Sequence, residues 1–439
     1  MTTYSESPKN LTLHAHQKRE LEFLQQTPRA FLLSDVGTGK TPVLLKYAQE
    51  VLDRGQTVLW LTDAGLQDQL QQESKLWLSE IQPRKIGTPN HRFLFASHQL
   101  AHNKFEKMML LKPDLVIVDE AAVLGSGQKS DSVQYKSIAR ILHQSQLSVL
   151  ATATPSSTLH GLDTHAILAA GQAGGLAGRS DFEGWVNFVE YPTRFGSHRN
   201  PNKISLGGVV HLKEVLARNA VRTSKEQLAI RVPTIKRETI EVEISEQDLQ
   251  AYHDSKHDMN LPKFNKQQRA SRSVLPLVEA TILNIGRHME QAHRHAVVFT
   301  ENKDILEPLM KQLQQEGIPV WEISGDISPK VRNTSIQKFN ESATGVLVGT
   351  RALETGLNLQ RASLLITVVA SWTSAREEQR EGRLVRQGSD HESVLHITIQ
   401  PKVPMERNKV RRLQRKADLS DELLSAVPLT SQMRGTGCA

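Results

Sequence analysis

Short apolar runs and longer amphipathic stretches alternate along the first third of the chain. The runs are Ala30–Leu33, Val58–Thr62, Arg92–Ser97, Leu115–Val118 and Leu147–Ala151. Such runs are the mark of strands buried on both faces. Between them apolar positions return with helical spacing, as at Leu21 and Leu24, from Val43 to Leu52, and in a glutamine-rich stretch ending near Trp77. Strand alternating with helix predicts a parallel sheet with helices on both faces.

The rhythm stops after Gly161. Gly171, Gly174, Gly175 and Gly178 crowd together, and Phe182, Trp185, Phe188 and Tyr191 follow at helix-like spacing. These aromatics read as local core in preference to a base-stacking platform. A second α/β block starts near Lys236. Thr239 to Ile244 alternates as a half-exposed strand does, and Leu277 to Met289 reads as an amphipathic helix after Pro276. Ala296–Thr300, Val320–Ile323 and Gly345–Gly349 read as buried strands. After Pro404 a very basic helix carries Val410, Leu413 and Ala417 as a narrow apolar stripe. The expected boundaries are a disordered tail over 1–10, a first α/β lobe over 11–170 and an insertion with a junction over 171–235. A second lobe follows over 236–400, the basic helix over 401–428 and a frayed tail over 429–439.

Composition narrows the classes. The chain has 439 residues, 38% of them hydrophobic and 23% charged, which suits a soluble protein of two or three domains. No apolar run is long enough to span a membrane. The net charge of +7 suits a polyanion partner without establishing one. The one cysteine is Cys438, so no disulfide framework forms within the chain, and a reducing, intracellular home is expected.

The first chemical motif is Ser34-Asp35-Val36-Gly37-Thr38-Gly39-Lys40-Thr41. Strand, glycine loop, Lys-Thr and helix form the context of a phosphate-binding P-loop. Gly37, Thr38 and Gly39 would let backbone N–H groups close on phosphate oxygens, Lys40 would reach the outer phosphates, and the Thr41 hydroxyl would hold Mg²⁺. The strict pattern has glycine where Ser34 stands. Without its flanking strand and helix the stretch would be an ordinary glycine turn. The second motif is Asp119-Glu120 at the end of a buried strand. Ligands of open α/β sheets bind at that end. Asp119 can hold Mg²⁺ there, and Glu120 can orient or deprotonate a water. Acidic strand ends are common, and the P-loop about eighty residues earlier gives this one its meaning. Gln17 can either read an adenine edge or simply start a helix. Arg383 and Arg386 share a helix face and are either arginine fingers for a γ-phosphate or a solvated basic face. The second block has no P-loop, so no nucleotide site of its own is expected.

Together these motifs resemble a superfamily 2 helicase motor of the Swi/Snf type. Gly37–Thr41 is similar to that family's motif I, Asp119–Ala122 to motif II and Ala151–Pro155 to motif III. Val297–Thr300 resembles motif IV, Gly349–Arg351 through Thr355–Leu359 motif V, and Gln379, Gly382, Arg383 and Arg386 motif VI. Asn219–Lys225 with Val232-Pro233, Trp372, and the helix from Glu406 to Leu424 resemble its inter-lobe junction, a tryptophan before motif VI, and its C-terminal brace. Two departures stand out: Ala122 replaces the usual motif II histidine, and Gly382 is more like ordinary helicases. The resemblance implies two RecA-like lobes with ATP and Mg²⁺ in the cleft between them, read by Gln17. It implies sequence-independent contacts to double-stranded DNA from Ser97, Thr300, Thr350 and Arg351. Thr152, Thr154, Gly356, Asn358 and Gln379 would couple nucleotide to nucleic acid. A strand-separating helicase acting on DNA or RNA is the alternative, and a clamp with a dead ATPase or a small-molecule kinase fits less of the pattern.

Overall fold

The computed structural model describes residues 11–78, 81–124, 133–153, 188–193, 196–204, 206–228, 233–254, 274–290, 295–354, 359–370, 374–385, 389, 391–409, 411 and 424–431. The chain forms two compact units, Met1–Ala229 with Arg415–Ala439, and Ile230–Gln414. It therefore passes from one unit to the other twice.

In the first unit helix α1 (Ala15–Gln26) leads into strand β1 (Arg29–Leu32), then α2 (Lys40–Asp53), β2 (Val58–Thr62), α3 (Gln67–Trp77), β3 (Arg84–Lys85) and β4 (Phe93–Ser97). Then come α4 (Leu100–Asn103), α5 (Phe105–Leu111), β5 (Leu115–Asp119), α6 (Val133–Gln144) and β6 (Leu147–Ala151). A hairpin of β7 (Phe188–Thr193) and β8 (Gly196–Ile204) precedes α7 (Leu206–Asn219) and β9 (Ala220–Val221). The sheet runs β3-β4-β2-β5-β6-β1-β9, and every pairing in it is parallel. Successive side chains of a strand face opposite ways, so the unbroken apolar runs feed two cores. Phe31, Leu33, Leu59 and Leu61 enter one layer, and Ala30, Leu32, Val58 and Trp60 the other.

The second unit contains β10 (Thr234–Val242), α8 (Glu246–Asp254), α9 (Val274–Glu290), β11 (His295–Thr300), α10 (Lys303–Gln315), β12 (Val320–Ile323) and α11 (Pro329–Glu341). It continues with β13 (Gly345–Gly349), β14 (Leu364–Val368), α12 (Ser374–Leu384) and β15 (Ser393–Pro401). Its sheet, β10-β15-β14-β11-β13-β12, is parallel throughout and again separates two apolar layers. Two parallel sheets with helices are the α/β architecture expected from the alternating pattern.

Three stretches differ from expectation. Phe188 and Tyr191 lie on strand β7, not on a helix. Their run, Phe-Val-Glu-Tyr-Pro-Thr, is rich in strand formers and ends near Gly196, whose φ of 122° suits a turn. Phe182 and Trp185 lie outside the described residues. Helix α7 and the short strand β9 carry the chain back beside β1, a return the pattern did not reveal. Leu429–Ser431, expected to open a frayed tail, is held on the first unit: Leu429 forms a parallel bridge with Arg222, and Thr430 is buried. Of the basic C-terminal helix, residues 404–409 are helical, and Val410, Leu413 and Ala417 lie outside the described residues. Among the described residues no helix is long and apolar enough to cross a membrane.

Candidate active site

In the first sheet β6 lies between β1 and β5, and Leu32, Ala151 and Asp119 form one row across it. The P-loop leaves β1 and the acidic pair leaves β5, both at C-terminal ends. Adjacent strands are about 4.8 Å apart, so the two motifs begin about 10 Å from each other. Thr152, buried just past the end of β6, stands between them, and its N–H donates to Leu32 O at 3.0 Å.

Gly37 and Gly39 both have φ of 85°, the left-handed region where a Cβ is penalised. Gly39 is also crowded, since an added Cβ would meet Gln17 Nε2 at 2.4 Å, whereas Gly37 has open space. The loop turns into α2 at Lys40, whose Nζ donates to the carbonyls of Ser34 at 2.7 Å and Asp35 at 3.1 Å. Thr38 Oγ1 donates to Asp35 O at 2.9 Å. Thr41 is half-buried in the first turn of the helix.

Helix α1 lies against this loop. His16 Nε2 is 3.0 Å from Thr38 O, and Gln17 Nε2 donates to Gly39 O at 3.1 Å. Gln17 Oε1 accepts the His14 N–H at 2.8 Å, so the residue starts its helix and braces the P-loop at once. One turn on, buried Glu20 Oε1 accepts the Ser34 hydroxyl at 2.5 Å. Burial pushes the Glu20 carboxyl up, against the opposing pull of Ser34, Thr223, His16 and Lys40. On the other side Asp35 takes Arg222 Nη2 at 3.1 Å and the Lys225 N–H at 3.0 Å. The segment that resembles the inter-lobe junction thus lies along the P-loop. Sequence reasoning missed Glu20 and Arg222 as its neighbours. The period of α1, which puts Glu20 one turn after Gln17, was the available signal for the first of them.

Asp119 is buried enough that its carboxyl is pushed up to about 7, first by desolvation and then by Glu120, with Lys40 pulling the other way. Thr62 Oγ1 is 3.5 Å from Asp119 Oδ2, at the outer limit of a hydrogen bond. Glu120 has φ of 53°, a left-handed conformation that costs a non-glycine residue free energy and recurs at functional sites. Its N–H returns to Asp119 Oδ1 at 3.1 Å.

In the second unit α12 turns a charged face inward. Arg380, 1% exposed, donates to Glu377 at 3.0 Å and Glu301 at 3.3 Å and sits 5.1 Å from the Phe299 ring centroid. Glu381 takes both ends of Arg237 at 2.7 Å and lies 2.8 Å from His396 Nδ1. Burial raises the Glu381 carboxyl, but His396 and Arg237 outweigh it and hold it below the usual range. Lys409 and Glu406 form a fully buried pair at 3.1 Å, and burial pushes the Lys409 ammonium down. Gln379 and Arg383 lie on the same helix, and Arg383 is buried. Arg386, Thr154, Gly356, Asn358 and Trp372 lie outside the described residues, and nothing is described of the Gln379 and Arg351 side chains.

The proposed nucleic-acid contacts lie at or just beyond the C-terminal ends of β4, β11 and β13. Ser97 is buried, and its Oγ accepts the Leu100 N–H at 3.3 Å, where it starts α4. Thr300 is buried too, and its Oγ1 accepts the Asn302 N–H at 3.2 Å. Short hydroxyl side chains bond readily to nearby backbone, and both do so here. Thr350 is half-buried.

Residues 88–298 match the SNF2-related domain, and residues 277–388 match the helicase conserved C-terminal domain. An uncharacterized ATP-dependent helicase of Mycoplasma genitalium is 28% identical over 146 residues, which are 32% of this chain and 14% of that protein. Transcription termination factor 2 of Drosophila melanogaster is 24% identical over 178 residues, 39% of this chain and 16% of that protein. The chain thus spans well under a quarter of the length of either relative. The Sulfolobus solfataricus SWI2/SNF2 ATPase core, solved in complex with dsDNA, aligns over 96% of this chain and 95% of its own, with 15% identity and a TM-score of 0.42. The two family matches together run from the first sheet to the end of α12 and take in the acidic pair and the motif VI helix. Residues 88–388 thus carry an SNF2-related domain followed by a helicase conserved C-terminal domain, the composition of a Swi/Snf-type helicase-like ATPase.

Proposed function

We propose that the chain hydrolyses ATP in response to nucleic acid and uses the free energy to move along double-stranded DNA. The observation that supports this above the others is at the C-terminal ends of strands in the first sheet. A P-loop and an acidic pair leave strands separated by one strand, in a chain whose second α/β unit has no P-loop of its own.

ATP is the proposed substrate. The backbone amides around Gly37, Thr38 and Gly39 would hold its phosphates, and the Lys40 ammonium would move from the Ser34 and Asp35 carbonyls to phosphate oxygens. The residues fit a divalent cation: the buried Asp119 carboxyl, raised by its surroundings, is a group that a positive charge would stabilise, and the Thr41 hydroxyl can join it. When bound, Mg²⁺ supplies charge neutralisation at the phosphates. Glu120 would orient the attacking water and take its proton. Gln17 keeps one amide N–H that could serve an adenine acceptor. Arg383 and Arg386 are proposed to stabilise charge developing on the γ-phosphate. Alternating phosphate grips through Thr350, Arg351 and strand-end amides would give sequence-independent movement, with Thr152, Thr154, Gly356, Asn358 and Gln379 linking grip to nucleotide.

The test is ATP hydrolysis without nucleic acid and with single strands, duplex DNA and RNA, beside triplex displacement and fork unwinding. Greatest stimulation by duplex, with triplex displacement and no fork unwinding, is the expected result. Gly382 favours a second reading, a strand-separating helicase. Stimulation by single strands with efficient fork unwinding would establish it and overturn translocation on intact duplex.

A further inference from the structure

Ser34 breaks the strict phosphate-loop pattern, and its surroundings give that substitution a use. Its side chain is buried at the base of the P-loop. Ser34 Oγ donates to Glu20 Oε1 at 2.5 Å and accepts the Thr223 N–H at 2.8 Å. Thr223 Oγ1 donates to the same Glu20 oxygen, also at 2.5 Å. A hydroxyl has one proton. With Glu20 ionised the Thr223 proton is committed to it, and at the 3.1 Å contact between Thr223 Oγ1 and Thr430 Oγ1 the donor is then Thr430. The direction is then fixed from end to end: Thr430 donates to Thr223, Thr223 to Glu20, and Ser34 to Glu20. The carbonyl of Ser34 holds Lys40 at 2.7 Å.

The backbone follows the same path. Residues 221–223 are shared between two neighbours. On one side Leu33 N–H and Asp35 N–H donate to Val221 O and Thr223 O. On the other, Arg222 N–H donates to Pro428 O at 3.1 Å and Thr430 N–H donates to Arg222 O at 3.0 Å. Residues 428–430 therefore extend the sheet one position beyond β9. The segment is anchored at both ends. Leu424 and Val427 join the core layer that holds Phe31 and Leu33, Arg19 Nη1 donates to Thr430 O at 3.1 Å, and Gln227 Nε2 donates to Ser431 Oγ at 2.6 Å.

We propose that the C-terminal segment 424–431 is a strap that positions the P-loop for nucleotide, with Thr430, Thr223 and Ser34 as positioning residues acting through their hydroxyls. This rests on the reading of the P-loop as an ATP site. A segment that only covered the sheet edge would need its backbone bonds and apolar side chains. It would not need a hydroxyl at 430 aimed into a buried network that ends at the residue holding Lys40.

The test uses the full chain and a fluorescent N-methylanthraniloyl derivative of ATP. Thr430→Val keeps the branched shape and removes the donor, and Thr430→Ser keeps the donor. Loss of one hydrogen bond of ordinary strength corresponds to roughly 2- to 12-fold in an equilibrium constant. Thr430→Val and Thr223→Val are each expected to weaken analogue binding and raise the KM for ATP within that range, while kcat stays within about twofold. Thr430→Ser is expected to bind as the unmodified chain does. Equal affinity in the unmodified chain and in both valine variants would overturn the strap and leave the ATP site standing. So would a loss that Thr430→Ser shares, or one that tracks a fall in melting temperature without nucleotide. Failure of the unmodified chain to bind the analogue would overturn the ATP reading, and the strap with it.

Discussion

Replacing Gly39 by alanine separates two costs that a P-loop glycine usually conceals. Gly37 and Gly39 share a φ of 85°, so alanine at either position incurs the left-handed penalty of about 1–2 kcal/mol. They differ in surroundings. A Cβ at Gly37 meets nothing within 4 Å, while at Gly39 it would lie 2.4 Å from Gln17 Nε2. The Gln17 amide must then withdraw, losing its 3.1 Å bond to Gly39 O. That amide is buried, so the loss adds about 1–3 kcal/mol. Gly37→Ala is expected to destabilise the first unit by about 1–2 kcal/mol, and Gly39→Ala by about 2–5 kcal/mol, the sum of those two ranges. Gln17→Ala supplies the room, so the double variant Gly39→Ala/Gln17→Ala should cost less than the sum of the singles, with a coupling of about 1 kcal/mol or more. Native-state hydrogen exchange at the amides of β1 and α2 reads the stability of this unit without requiring the whole chain to unfold in one step. Equal losses for Gly37→Ala and Gly39→Ala, or strictly additive losses for Gly39→Ala and Gln17→Ala, would refute the contact between α1 and the loop as the source of the difference.

Three further outcomes are expected. Lys40→Ala and Glu120→Gln should each lower ATP turnover by several orders of magnitude, with Glu120→Gln still binding ATP; near-normal turnover in the latter would remove it from the chemistry. Arg386→Ala should depress turnover sharply and leave DNA affinity nearly unchanged, whereas a gel-shift loss of binding with turnover intact would make Arg386 a phosphate contact. Glu381 is held below the usual carboxylate range in the folded chain despite its burial. The stability it contributes is therefore full above about pH 4.5 and is lost as pH falls through its folded value. Glu381→Gln should flatten the acid-side fall in protection of β15 amides measured by hydrogen exchange, and an unchanged acid limb would refute the assignment.

The two sheets were legible because a parallel strand covered on both faces must be apolar throughout. Val58–Thr62 and Leu115–Val118 are buried at every position, as such runs require. The phosphate loop and the acidic pair were legible because each follows a strand directly. Phe188 and Tyr191 misled because a spacing of three satisfies a helix, while the intervening residues favour the hairpin that forms. The backbone bonds of Ser97 and Thr300 were not legible, because a hydroxyl at a strand end can turn outward to a phosphate or inward to its own backbone, and local sequence is the same in both cases. Arg222 and Leu429 are separated in sequence by the whole second unit, so no local pattern marks their pairing.

Ser34 shows how a departure from a motif acquires meaning only in three dimensions. Read locally, it is a lost glycine. In the folded chain a glycine there would leave the Thr223 N–H without its acceptor and take one of the two hydroxyl donors from a buried carboxylate. Glu20 Oε2 already has no partner among the described residues. Removing a second contact from such a group costs more than an average hydrogen bond contributes, because desolvation is no longer offset. The residues that require serine at 34 come from α1, from the segment after β9 and, through Thr223, from the far end of the chain. Each departs from no rule of its own, and none lies close enough in sequence to betray the others. The loop keeps glycine at 37 and 39, where its backbone conformation demands it, and gives up glycine at 34, where a side chain joins it to the rest of the unit.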